Sequence, residues 1–142
     1  MRVMVIFKAD DRSEAGEMPT TQELAAMVSY NEELVNAGVM LAGEGLHASS
    51  AGKRIKLGAG EPQVIDGPFP NAKELVAGFW LWRVDSMEDA VEWAKRCPTQ
   101  PGVELEIELR AVFETEEFGE AMTPELRAQE ERLREATAAM QH

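Results

Sequence analysis

Ala77-Gly78-Phe79-Trp80-Leu81-Trp82-Arg83-Val84 is the strongest strand signal in the chain. Aromatic residues crowd it, as they do pleated and at least half-buried surfaces. Phe79, Leu81 and Arg83 point one way; Trp80, Trp82 and Val84 point the other. Large apolar groups on both faces mean a strand held between two layers. In a chain of 142 residues the helices cover only one of them. A second subunit is therefore expected to cover the other.

Just upstream runs Val64-Ile65-Asp66-Gly67-Pro68-Phe69-Pro70-Asn71-Ala72-Lys73-Glu74. Asp66-Gly67-Pro68 is turn chemistry: Gly tolerates a positive φ, Pro fixes φ, and Asp accepts hydrogen bonds from backbone just ahead of it. Phe69 stands where a loop normally carries something polar. The stretch reads as a rigid loop with a plugged aromatic. Residues 53–57 and 63–66 before it read as a hairpin, joined through Gly58-Ala59-Gly60-Glu61-Pro62.

Working further outward, residues 2–8 form a first strand, nearly all apolar. Residues 9–19 read as a loop. A helix follows from Thr20 or Thr21 to about residue 37, with Leu24, Met27, Val28, Leu34 and Val35 as its apolar stripe. Asn31 falls on that stripe, and a polar residue there needs a partner. Residues 39–47 form a second strand, in which Gly43 and Gly45 mark a bulge or a close approach. Asp85-Ser86 caps another helix, whose buried stripe is Met87, Ala90, Val91, Ala94 and Cys97. Residues 103–113 alternate cleanly between apolar and charged side chains, as a strand with one core face and one wet face does.

The order β-α-β-(β-β)-β-α-β predicts an α+β fold, a ferredoxin-like sandwich with an inserted hairpin. Stacking two open sheet faces would make a homodimer and enclose a partly polar cavity. Residues 1–113 form that domain. Residues 114–142 form an acidic helical extension, with eight Glu against three Arg and a final helix opening at Thr123-Pro124-Glu125.

The net charge of −12 argues against nucleic acid and against anionic membrane surfaces as partners. No apolar run approaches a membrane span, and the chain opens directly into a strand pattern, so a cytoplasmic protein is expected. Cys97 is the sole cysteine, which leaves no intrachain disulfide and no thiol metal motif. No metal site and no cofactor are expected: there is no phosphate loop, and the two histidines are His47 and the terminal His142. His47 is the one internal group that titrates near neutral pH. Paired with Asp66 it would be an oriented general base. Lys73, beside Glu74, is a second charged candidate, and Phe79, Trp80 and Trp82 are candidate walls for a small, aromatic substrate.

Asp66-Gly67-Pro68-Phe69, then Ala72-Lys73-Glu74 and Gly78-Phe79-Trp80, resembles the signature of the YCII-related family in its DGPF (DGPFAETKE) branch. The run Gly38-Val39-Met40-Leu41 through Gly43-Glu44-Gly45-Leu46 and the segment from Val84-Asp85-Ser86 to Pro98 extend the resemblance, which spans about residues 1–113. Pro70-Asn71, Ala111 and the helix after Thr123 depart from the family pattern. The resemblance implies a dimeric ferredoxin-like α/β barrel. The wider family includes a dehydrochlorinase-type enzyme acting on a hydroxylated aromatic ring, with a His/Asp pair proposed as catalytic. In that pair the His lies on the first helix; here that helix carries Tyr30 and Asn31.

The resulting expectation is a small molecule held in a dimer-interface cavity by Tyr30, Asn31, Phe69, Lys73, Trp80 and Trp82. His47 and Asp66 would run cofactor-free acid–base chemistry of a lyase or isomerase kind. The alternative is a non-catalytic ligand-binding or regulatory protein-interaction module.

Overall fold

Two central strands, β1 (Arg2–Lys8) and β5 (Val76–Arg83), carry the molecule in the computed structural model, which describes residues 1–141. His142 lies outside the described residues. β1 and β5 pair antiparallel, with Val3 opposite Trp82 and Val5 opposite Trp80. β2 (Met40–Gly45) joins β5 on one edge, and β6 (Ile107–Ala111) joins β1 on the other. The sheet order is β2-β5-β1-β6, all neighbours antiparallel. The result is a mixed α+β fold. The chain divides into two compact units, Met1–Ala111 and a second that begins at Val112.

Helices α2 (Thr21–Asn36) and α3 (Met87–Lys95) cover one face of the sheet. Side-chain oxygens cap both: Thr20 Oγ1 accepts the Glu23 N–H at 3.1 Å, and Ser86 Oγ accepts the Asp89 N–H at 3.1 Å. Beneath them Val3, Val5, Trp80 and Trp82 pack with Tyr30, Leu34, Ala90 and Cys97 as the core. On the opposite face Met4 lies across from Leu81, and Ile6 from Phe79. The two faces of the central strand are therefore resolved: the tryptophans go under the helices, and Phe79 and Leu81 go outward.

Several local expectations change. α2 turns a different stripe inward, with Tyr30 and Leu34 buried and Met27 half-buried, while Leu24, Val28 and Val35 are exposed. The indoles of β5 decide this, because Tyr30 and Asn31 both contact them or neighbouring backbone. The loop after β1 contains a short helix, α1 (Asp11–Glu14), held by a capping box between Asp10 and Ser13. β6 is shorter than the alternation suggests, because its partner β1 ends at Lys8; the ladder closes with Lys8 N–H donating to the Glu106 carbonyl at 3.0 Å.

β3 (Lys53–Lys56) and β4 (Gln63–Asp66) form the expected hairpin as a separate two-stranded sheet, with every residue exposed. In the second unit α4 (Pro124–Met140) is capped by Thr123, and Phe113 stacks on Phe118 at 5.3 Å between centroids. No helix among the described residues is long and apolar enough to cross a membrane.

Candidate functional site

A cleft of about 460 Å³ opens at one end of the sheet, on the side covered by the helices. Its floor is cut from the glycines of two strands. A Cβ on Gly43 would stand 2.4 Å from Trp80 Cδ1, and one on Gly78 would stand 2.9 Å from the Glu44 carbonyl oxygen. Neither distance is tolerated, so the floor carries no side chain at these positions and the Trp80 indole packs directly on the Gly43 backbone. Trp80 forms the back wall, with Phe7 at 4.7 Å between ring centroids and Trp82 stacked behind it at 5.3 Å. Met27, Pro19 and Leu105 complete the apolar lining.

One polar group is aimed into this apolar setting. Trp80 Nε1 donates to Asn31 Oδ1 at 3.0 Å, which fixes the amide orientation. The Asn31 NH₂ group then has no hydrogen-bond acceptor among the described residues. Asp10 and Ser13 stand at the rim, while Lys8 and Glu44 border the cleft from strand positions whose side chains go to the other sheet face, where Glu44 pairs with Phe79. Asp10 accepts the Ser13 N–H at 2.8 Å, and Ser13 Oγ accepts the Asp10 N–H at 2.9 Å. Lys8 lies 3.6 Å from Glu108. The arrangement suits a flat, mainly apolar molecule with an acceptor over Asn31 and the Asp10 carboxylate at one end.

Of the residues singled out from the sequence, Asn31, Phe79 and Trp80 line this cleft. Trp82 is fully buried and offers a ligand no surface; its Nε1 has no partner among the described residues. Tyr30 points to α3 instead, donating its phenol to the Trp93 carbonyl at 2.5 Å. Burial holds that phenol protonated far above its ordinary range. Lys73 is exposed and lines a neighbouring groove of about 510 Å³, which shares Lys8, Asp10 and Leu105 with the cleft.

His47 and Asp66 are not joined by a hydrogen bond or ion pair. His47 is exposed in the segment after β2, and the Asp66 carboxylate meets Lys53 Nζ at 2.5 Å across the hairpin. That pair is more than half exposed on both sides and adds little stability. Phe69 is half-buried, with the Arg54 guanidinium 3.9 Å from its ring centroid.

Sequence reasoning missed two residues beside this loop. Glu14 accepts both the N–H and the hydroxyl of Ser49, at 3.0 and 2.5 Å, and Ser49 Oγ accepts the Phe69 N–H at 3.0 Å. In the sequence Ser49 falls between the second strand and the hairpin, and Glu14 in the 9–19 loop. Neither carried a local signal, because the contact spans 35 residues.

A family model for the YCII-related domain matches residues 1–115. Among solved structures, the 5-chloro-2-hydroxyhydroquinone dehydrochlorinase of Burkholderia phenoliruptrix, in complex with 2,5-dihydroxybenzoquinone, is similar at 19% identity. The match covers 80% of this chain and 96% of that chain, with a TM-score of 0.43. A search of curated proteins returned no match.

Proposed function

The chain belongs to the YCII-related family, and from that premise we propose that it binds a small, planar, largely apolar molecule in the cleft between α2 and the sheet. The observation that carries this reading is the cleft itself: a glycine floor, an indole wall, and an Asn31 amide whose donors meet no acceptor among the described residues. A ligand carbonyl or hydroxyl oxygen satisfies that amide. Apolar pockets with a few placed polar groups are the usual form of small-molecule sites. The stretch Asp66–Phe69 resembles the DGPF signature, and membership of that branch is part of the proposal.

Acid–base chemistry, where it occurs, falls to the Asp10 carboxylate at the cleft rim. His47, exposed and not joined to Asp66, is the weaker candidate for the base. The cavity site differs from the inter-subunit space expected from sequence, because Trp80 turns toward the helices. A second reading, ligand binding without turnover, is favoured by one observation: among the described residues no imidazole lines the cleft.

Affinity capture of small molecules by the purified protein, read by mass spectrometry, tests the binding reading. A retained ligand that is lost on Met27→Trp, which fills the cleft, supports it. Retention of the same ligand by that variant refutes it. Incubating the captured compound with the protein then separates the two readings: conversion that stops in Asp10→Asn supports the acid–base role, and an unchanged compound supports binding alone.

Homodimerisation is part of the same proposal. Met4, Ile6, Phe79 and Leu81 form an apolar centre on the sheet face away from α2 and α3. Two such faces stacked together give the dimeric, ferredoxin-like α/β barrel. The acidic extension 114–142 is then an appendage to a domain of residues 1–113, and the working place of the protein is the cytoplasm.

A further inference from the structure

Three segments far apart in sequence meet at one serine. From α1, both carboxylate oxygens of Glu14 engage Ser49: Oε1 accepts the backbone N–H at 3.0 Å and Oε2 accepts the hydroxyl at 2.5 Å. From the Asp66–Phe69 loop, the Phe69 N–H donates to Ser49 Oγ at 3.0 Å, and the Gly67 N–H donates to the Gly52 carbonyl at 2.9 Å. Gly67 lies so close that a Cβ there would fall 1.8 Å from the Ser49 carbonyl oxygen. The loop is thus pressed against the Ser49–Ala51 turn by its backbone, and Ser49 passes the contact on to α1.

The Glu14–Ser49 contact ties α1 to the turn that follows β2, and α1 and β2 both supply cleft residues. Asp10 and Ser13, at the start of α1, stand on one side of the cleft. Gly43, Glu44 and Gly45, which lead into the Ser49 turn, stand on another. α1 has four residues and buries none of them, so it cannot hold its own position. Glu14 is its hydrogen-bonded tie to the turn.

We propose that Glu14 and Ser49 are positioning residues for the cleft, and that the Asp66–Phe69 loop acts on the site through them rather than by touching ligand. The bridge sets the distance between the Asp10–Ser13 rim and the strand floor. This inference rests on the cleft being the binding site, so its test needs one readout that does not depend on ligand.

That readout is amide hydrogen exchange of the full-length free protein. In Ser49→Ala the amides of residues 10–16 and of Phe69 exchange about tenfold faster together, the loss expected for a charged hydrogen-bond pair. Ser49→Thr, which keeps the hydroxyl, returns both to the native rate. Binding of 1-anilinonaphthalene-8-sulfonate, read by energy transfer from tryptophan, weakens about tenfold in Ser49→Ala and in Glu14→Gln, and Ser49→Thr restores it. Unchanged exchange at residues 10–16 in Ser49→Ala overturns the inference, as does probe affinity that stays native while exchange quickens. Probe binding that survives Met27→Trp defeats the cleft reading instead, and leaves the exchange data to decide the bridge.

Discussion

Asn31, Trp80 and Gly43 form one contact set, and each depends on the others. Trp80 is buried, so its indole N–H needs the Asn31 carbonyl oxygen, and the ring needs the missing side chain at Gly43. Gly43→Ala forces the indole to move, and overpacking of this kind costs about 1–3 kcal/mol. Urea unfolding followed by tryptophan fluorescence measures it; a variant as stable as the native chain contradicts the close approach. Cys97 makes a second residue-level prediction. Burial pushes its thiol up to about 11 from an ordinary value near 9. As pH rises through that window the unfolded chain ionises first, so the native state holds the extra proton and loses stability. Below the window the thiol is neutral in both states and its contribution is constant. Between pH 9 and 11 the native protein should lose stability more steeply than Cys97→Ala, whereas equal slopes rule the effect out.

The hairpin and the loop after it show how a small element is kept in place without a core. Eight exposed strand residues give β3 and β4 little to bury, and an isolated hairpin is marginal in water. What anchors them is the loop that follows: Gly67 on Gly52, Phe69 under Arg54, and the Ser49 hydroxyl. Gly67→Ala puts a methyl group into the Ser49 carbonyl, so the loop must leave its seat. Amides of residues 49–69 should then exchange faster, while those of β1 and β5 keep native protection. Loss of protection across the central strands as well would mean that the hairpin is integral to the core.

For the whole molecule, the distribution of apolar surface matters more than its total. Under α2 and α3 the sheet is closed by Trp80, Trp82, Val3 and Val5. On the other face the central Met4, Ile6, Phe79 and Leu81 are flanked by Glu44, Glu108 and Arg110 at register positions of the edge strands. An apolar centre with a charged border is the usual anatomy of a protein interface. Sedimentation equilibrium should give a dimer for the native chain and a monomer for Phe79→Asp combined with Leu81→Asp. A native monomer, or a double variant that stays dimeric, disposes of the stacked-face arrangement.

Element order, hairpin, helix caps and family were legible in the chain alone. Each depends on residues close in sequence: the alternation of 77–84, Ser86 ahead of Asp89, and Asp66-Gly67-Pro68-Phe69. Asn31 was legible as a polar residue in need of a partner, though not that Trp80 is the partner. The rest required the tertiary structure. Alternation cannot say which face the helices take, and here they take the Trp80 face and bury Trp82. Tyr30 reaches Trp93, Asp66 reaches Lys53, and Glu14 reaches Ser49, across 63, 13 and 35 residues respectively. Such partners are chosen by the sheet order β2-β5-β1-β6 and by the rotation of α2 on the indoles. Local propensity carries no information about either, because both follow from packing whole elements against one another.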